Sequence, residues 1–166
     1  RRKVATTINK EMVILYWNIG KTIKGEILKS KRAEYGQQIV QSLTAQLVPR
    51  YGRGFSKRNL WYMIQAYENY TTLKSLLGEF KGLNWTHIIT LLPLKDKIKR
   101  EFYATLCQKE QWSTRTLQER ISTMLYERTV LSKLPEKTIK MQLEELKEED
   151  KMTPELVFRD PYVLDF

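Results

Sequence analysis

The sequence holds one cysteine, Cys107, and one histidine, His87, among 166 residues. A lone cysteine excludes an internal disulfide and a cysteine-rich metal site, and a lone histidine leaves no zinc-binding spacing anywhere. Apolar runs stop well short of the roughly eighteen residues needed to cross a bilayer. With no signal-like segment, this predicts a soluble cytoplasmic protein with no membrane partner. Strand-like alternation is missing as well. No glycine loop of the kind that cradles phosphate is present, and no carboxylate pair sits on a predicted cleft. Glu11, Glu26 and Glu34 are scattered on helices. An independent enzyme is therefore disfavoured, and no cofactor is expected.

Acidic residues are scarce at one end. Residues 1–60 hold 13 Lys and Arg against 3 Glu, whereas residues 61–166 hold 16 of each sign, so the net charge of +10 belongs to the N-terminal third. Such an excess favours a polyanionic partner, with a solvated basic surface as the plainer alternative. The length fits one domain of ordinary size with a helical extension. The chain opens Arg-Arg-Lys with no initiator Met, which reads as a fragment of something longer or a trimmed form.

What is present is helical periodicity. The spacing predicts a helix from about Lys3 to Leu28, with a stripe of Ile8, Met12, Leu15, Tyr16, Ile19, Ile23 and Ile27. Val13 and Trp17 widen that stripe beyond what one neighbouring layer needs. The helix is thus either central to the core or covered on a second side by a partner. Gly20 either admits another backbone or weakens the helix by about 1 kcal/mol relative to Ala.

The most informative stretch runs from Tyr35 to Tyr70. Ile39, Val40, Leu43 and Leu47 predict a second helix, ended by Pro49 and Arg50-Tyr51-Gly52-Arg53-Gly54. Ser56 stands at the N-cap of a third, where its hydroxyl relieves unpaired amide donors. On a helical wheel Leu60, Met63, Ile64 and Tyr67 face inward. Lys57, Arg58, Trp61, Tyr62, Gln65 and Asn69 face outward near the positive end of the helix dipole. Two helices joined by a short glycine turn, the second presenting its first residues outward, form a helix-turn-helix-like unit. An ordinary structural hairpin is the competing reading. Lys31 and Arg32, in the basic connection before this stretch, and Arg50 and Arg53, in its turn, are candidates for phosphate contact.

Farther on, short helices are expected around Leu73–Phe80 and from Asn84 to Pro93, with a small two-stranded wing in Leu76–Leu83 as an option. His87 takes a structural or surface role. A helix over Asp96–Gln111 starts with Lys95, Lys97, Lys99 and Arg100, whose charge Asp96 and Glu101 can compensate. Trp112-Ser113-Thr114-Arg115-Thr116-Leu117 then repeats the form of Phe55-Ser56-Lys57-Arg58-Asn59-Leu60: aromatic, Ser cap, Arg in the first turn, Leu. Pro135 opens a helix carrying Ile139, Leu143 and Leu146, whose acidic end is read as solvated. Thr153-Pro154-Glu155 caps a last short helix. The fold class is all-α, with about seven or eight helices. Residues 1–130 are read as a helical DNA-binding or assembly domain, and 131–166 as a helical extension and junction.

Several segments together resemble the N-terminal domain of the YhcG family: Leu15-Tyr16-Trp17-Asn18-Ile19-Gly20, Tyr35-Gly36, Gly54-Phe55-Ser56-Lys57-Arg58-Asn59-Leu60, Leu83-Asn84-Trp85-Thr86-His87, Arg100-Glu101-Phe102-Tyr103 and Trp112 to Leu117. Asp160-Pro161-Tyr162-Val163-Leu164-Asp165-Phe166 resembles that family's junction with its next domain. The resemblance implies a bacterial protein in which this domain precedes a PD-(D/E)XK nuclease domain and acts as a DNA-binding or assembly module. No catalytic or metal-binding residue carries over. Under the DNA reading Lys31, Arg32, Arg50, Arg53, Ser56, Lys57 and Arg58 meet the backbone, Gln65 and Asn69 reach base edges only if the helix lies deep in the groove, and Trp61 packs on sugar or on a protein partner. A homodimer is favoured. Under the assembly reading Val13, Trp17, Trp61 and Tyr62 are exposed anchors that bury against a second copy or another protein.

Overall fold

The computed structural model describes residues 2–29, 34–131 and 136–149. Among the described residues there are nine α-helices, one 3-10 turn and no strand, so the all-α expectation holds with one or two more helices than predicted. They are α1 (Arg2–Leu28), α2 (Tyr35–Tyr51), α3 (Lys57–Asn69), α4 (Leu73–Glu79), α5 (Trp85–Leu91), α6 (Lys97–Glu110), α7 (Thr114–Ser122), α8 (Leu125–Leu131) and α9 (Glu136–Glu149). The 3-10 turn, Arg53–Phe55, joins α2 to α3. The helical α4 takes up the place of the optional wing. Lys31, Arg32, Pro135, Thr153-Pro154-Glu155 and the closing 160–166 lie outside the described residues.

The chain divides into two compact units, Arg1–Trp85 and Thr86–Phe166. The division expected after residue 130 falls inside the second. In the first unit, α1 packs chiefly on α3. The buried face of α1 consists of Val13, Tyr16, Trp17, Gly20 and Ile23. This corrects the sequence reading in two ways. Val13 and Trp17, offered as interface anchors, are 1% and 6% exposed and belong to the core. Trp17 donates its Nε1–H to the Tyr70 carbonyl at 2.8 Å and meets the Tyr67 ring edge to face at 5.4 Å. Conversely Ile8, Met12 and Leu15, expected inward, stand 54%, 39% and 51% exposed. The apolar arc of α1 spans two faces, and the core takes the one containing Gly20, because only there can α3 approach closely. A Cβ on Gly20 would sit 1.9 Å from the Met63 carbonyl oxygen.

Helix α2 does not end at Pro49, which lies within its last turn. A proline there forgoes one backbone hydrogen bond without stopping the helix. Gly52, at φ +87°, makes the actual break. Helix α3 buries Leu60, Met63, Ile64 and Ala66, while Tyr67 is half-buried.

The second unit is built on α6, whose Phe102–Cys107 segment is buried throughout. Asp96 caps α6 by accepting from the amides of Ile98 and Lys99 at 2.9 and 3.2 Å. The cations of its first turn are internally engaged: Lys97 pairs with Glu101 at 3.8 Å, Lys99 with Glu127, and Arg100 donates to the Leu94 carbonyl at 2.8 Å. Tyr103 Oη donates to the Arg120 carbonyl and accepts from the Tyr126 amide, linking α6 to α7 and α8. His87 is buried with Nε2 2.9 Å from the Trp112 carbonyl, a structural role. Ile139 and Leu143 of α9 are fully buried, and Glu144 and Glu145 are exposed.

Candidate nucleic-acid interface

The first unit presents a basic turn between α2 and α3. No acidic residue occurs from 35 to 67, and within this span fall Arg50, Arg53, Lys57 and Arg58. All four are exposed. Several cations elsewhere are matched: Lys24 with Glu68, Lys29 with Glu26, and Lys147 with Glu101. Among the described residues none of the four turn cations is paired with a carboxylate. Four charges within nine positions, with no anion between them, create a local positive field that a polyanion can neutralise.

Helix α3 begins as the sequence requires. Ser56 has extended backbone and its Oγ accepts from the Asn59 amide at 3.4 Å. The cap leaves the first-turn amides of Lys57 and Arg58 at the positive end of the helix dipole, where an anion is favoured. Arg58 is held over the Tyr62 ring, 5.6 Å from its centroid, and donates from Nε and Nη2 to Tyr62 Oη at 3.2 Å each. The Arg58 side chain remains exposed in this position. Tyr62 is half-buried, so it works here as a platform. Trp61 is 37% exposed, Gln65 half-buried, and Asn69 exposed at the far end of the helix.

Two residues to which the sequence assigned no role in this turn hold it in shape. Asn59, an undistinguished position of the repeated hexamer, donates its Nδ2–H to the Gly54 carbonyl and accepts at Oδ1 from Trp85 Nε1 at 2.8 Å. Tyr16 packs edge to face on Phe55 and Trp85, with centroids 6.2 and 5.1 Å away. A Cβ on Gly54 would lie 3.1 Å from the Tyr16 hydroxyl, so glycine lets the turn settle against α1. A polar residue between the cations of the first helical turn and a buried Leu was the available signal, but it has no fixed meaning without the Trp85 partner.

The second hexamer repeats the same local mechanics. Ser113 Oγ accepts from the Thr116 amide at 3.1 Å, and Leu117, like Leu60, is fully buried. Arg115 is exposed as Arg58 is, whereas Trp112 is buried and donates to Glu110 at 2.7 Å. Among the described residues no group of His, Cys, Asp and Glu is placed to hold a metal ion. No described helix is long and apolar enough to cross a membrane.

A family model described as the DUF1016 N-terminal domain matches residues 1–128. The chain belongs to that family. It is also 30% identical, over 196 residues, to a protein of Escherichia coli (strain K12) named "Putative nuclease YhcG". That alignment covers 100% of this chain and 52% of the relative, so the chain spans about half the relative's length. Both findings bear out the resemblance carried by the segments from Leu15 to Leu117. No solved structure matches the chain.

Proposed function

We propose that this domain is a non-catalytic DNA-binding module, helix-turn-helix-like in its α2–turn–α3 unit, that delivers an attached nuclease domain to its substrate. The observation that carries the reading is the unpaired basic turn: Arg50, Arg53, Lys57 and Arg58, all exposed, with no acidic residue from 35 to 67. The relative's name adds that a protein of this family has been assigned to nucleases. In the binding mode Arg50 and Arg53 contact phosphates from the turn, and Lys57 and Arg58 do so from the first turn of α3. These contacts position the duplex without reading its sequence. Gln65 and Asn69 reach base edges only where α3 lies deep in the major groove. Trp61 packs against sugar. Ser56 acts through the cap, holding the first-turn amides outward. Lys31 and Arg32 extend the cationic track in sequence.

The test is duplex binding measured across a salt series. Four phosphate contacts predict a slope of log K against log salt of about −3.6, since each released counterion contributes about −0.9. Lys57→Glu with Arg58→Glu removes two contacts, flattening the slope by about 1.8 and weakening binding at every salt concentration. Equal affinity for wild type and the double variant, or no binding at low salt, refutes the assignment.

A further inference from the structure

Two apolar features of the first unit lie outside the cationic side chains of the basic turn, although Tyr51 and Phe55 of that turn close one end of the second. The N-terminal half of α1 shows Val4, Ile8, Met12 and Leu15 to solvent, Val4 at 61%. Its C-terminal half forms with α2 an open apolar groove of about 530 Å³, walled by Leu15, Ile19 and Ile23 on one side and Leu43, Leu47 and Tyr51 on the other. From Ile8 through Met12 and Leu15 to Ile19 the steps are four, three and four residues, the rhythm of a two-helix seam. A contiguous exposed apolar surface of this kind marks an association site.

We infer that α1 pairs antiparallel with α1 of a second copy of this chain, about a twofold axis passing between Met12 and Leu15. Met12 then meets Leu15 of the other copy, and Ile8 meets Ile19. The choice of a second copy rests on self-complementarity. Stripe and groove occupy opposite halves of one helix, so the antiparallel arrangement lays each copy's stripe into the other's groove and closes both at once. A parallel pair would set stripe on stripe and leave both grooves open. The polar margin fits the same register: Asn18, on the groove's edge, faces Glu11 of the other copy, and its carboxamide N–H can donate to that carboxylate. Symmetry makes this contact twice and opposes no like charges across the seam.

The area is adequate once the groove walls are included. Helix α1 has 27 residues, which makes it about 40 Å long, and a strip about 10 Å wide along it offers roughly 400 Å² per copy, or about 800 Å² for the pair. A specific interface needs about 1,000 Å² in total, so the Leu43, Leu47 and Tyr51 walls of the two grooves supply the remaining roughly 200 Å². The inference stands independently of the DNA reading.

Sedimentation or light scattering of the 166-residue chain should give twice 19.8 kDa, and Ile8→Glu with Met12→Glu should return the mass to one copy with far-UV circular dichroism unchanged. Register is tested by cysteine pairing, with the buried Cys107 giving little background. A mixture of Ile8→Cys and Ile19→Cys chains should form the mixed disulfide, and neither variant alone should cross-link. A monomer at all accessible concentrations overturns the proposal. So does a dimer that survives the Glu substitutions, or cross-linking of either cysteine variant with itself.

Discussion

Adding one methyl group at each of two glycines on the same helix should have opposite effects. At Gly20 the new Cβ would lie 1.9 Å from the Met63 carbonyl oxygen, 2.4 Å from its carbonyl carbon and 3.0 Å from the Ile64 amide nitrogen. All three are backbone atoms, so no rotamer change makes room. To restore an ordinary separation of 3.4 Å, α1 must retreat from α3 by about 1.5 Å. The seam that opens includes Val13, Trp17, Leu60, Met63 and Ile64, all buried. A radial gap of about 1 Å already forfeits up to about half of each dispersion contact. Overpacking of this kind costs about 3 kcal/mol or more, and the better helix propensity of Ala returns about 1. Gly20→Ala should therefore lose about 2 kcal/mol net. At Gly25 nothing lies within 4 Å of the added Cβ, so Gly25→Ala should gain up to about 1 kcal/mol. Urea unfolding followed by tryptophan fluorescence suits the comparison, because Trp17, Trp61 and Trp85 report on the first unit and only Trp112 on the second. Equal stability of the two variants, or a stabilised Gly20→Ala, would refute the close packing of α1 on α3.

Other expectations bear on the turn and on the second unit. Asn59→Ala leaves the Gly54 carbonyl and Trp85 Nε1 without the partner described above, and should cost about 2 kcal/mol by urea titration; a change under about 0.5 kcal/mol would show that the amide bridges nothing. Ser56→Ala and Ser113→Ala each remove one helix cap and should each cost about 1 kcal/mol, additively, because the two caps belong to separate units. Burial pushes the Cys107 thiol up from 9.0 to about 12, and burial likewise raises the Tyr103 phenol from 10.0 to about 12. Between those values the unfolded chain has released protons that the folded chain still holds, so stability falls as pH rises. The loss is about 1.4 kcal/mol per pH unit for each group beyond its unfolded value. A flat stability profile from pH 9 to pH 11.5 would contradict it. For the same reason Cys107 should react with thiol reagents at neutral pH only at the rate at which the second unit opens.

Local structure was more legible in the sequence than orientation was. Ser56 and Ser113 announced helix starts because a cap is a short-range device: its acceptor and its donors lie within three residues. The inward face of α3 followed from spacing, since its opposite face is charged and polar. Helix α1 offered no such contrast. Its apolar residues cover both the Val13–Trp17–Gly20 face and the Ile8–Met12–Leu15 face, so periodicity alone could not say which one meets α3. Gly20 held the answer, but a glycine in a helix has several uses until the opposing Met63 backbone is placed. Pro49 misled for a related reason: a proline penalises a helix by one lost bond, and in the last turn α2 bears that loss. Of the candidate DNA-binding set, Arg50, Arg53, Lys57 and Arg58 come together at one turn. Gln65 and Asn69 lie farther along α3, and Tyr62 is engaged as the support beneath Arg58.

The side chain of Asn59 ties the entrance of α3 to Trp85 while the Ser56 cap and the Tyr16 ring hold the same few residues from other sides. A surface fixed this way has already surrendered its conformational freedom during folding. An incoming polyanion would meet cations whose supporting backbone is set, with only the outer side-chain torsions left to order, so little binding energy would be diverted into shaping the turn. The expected mark is kinetic: the hydrogen-bonded amides of Phe55, Ser56, Asn59 and Leu60 should exchange with solvent deuterium slowly in the free protein, and hardly more slowly once a ligand is bound.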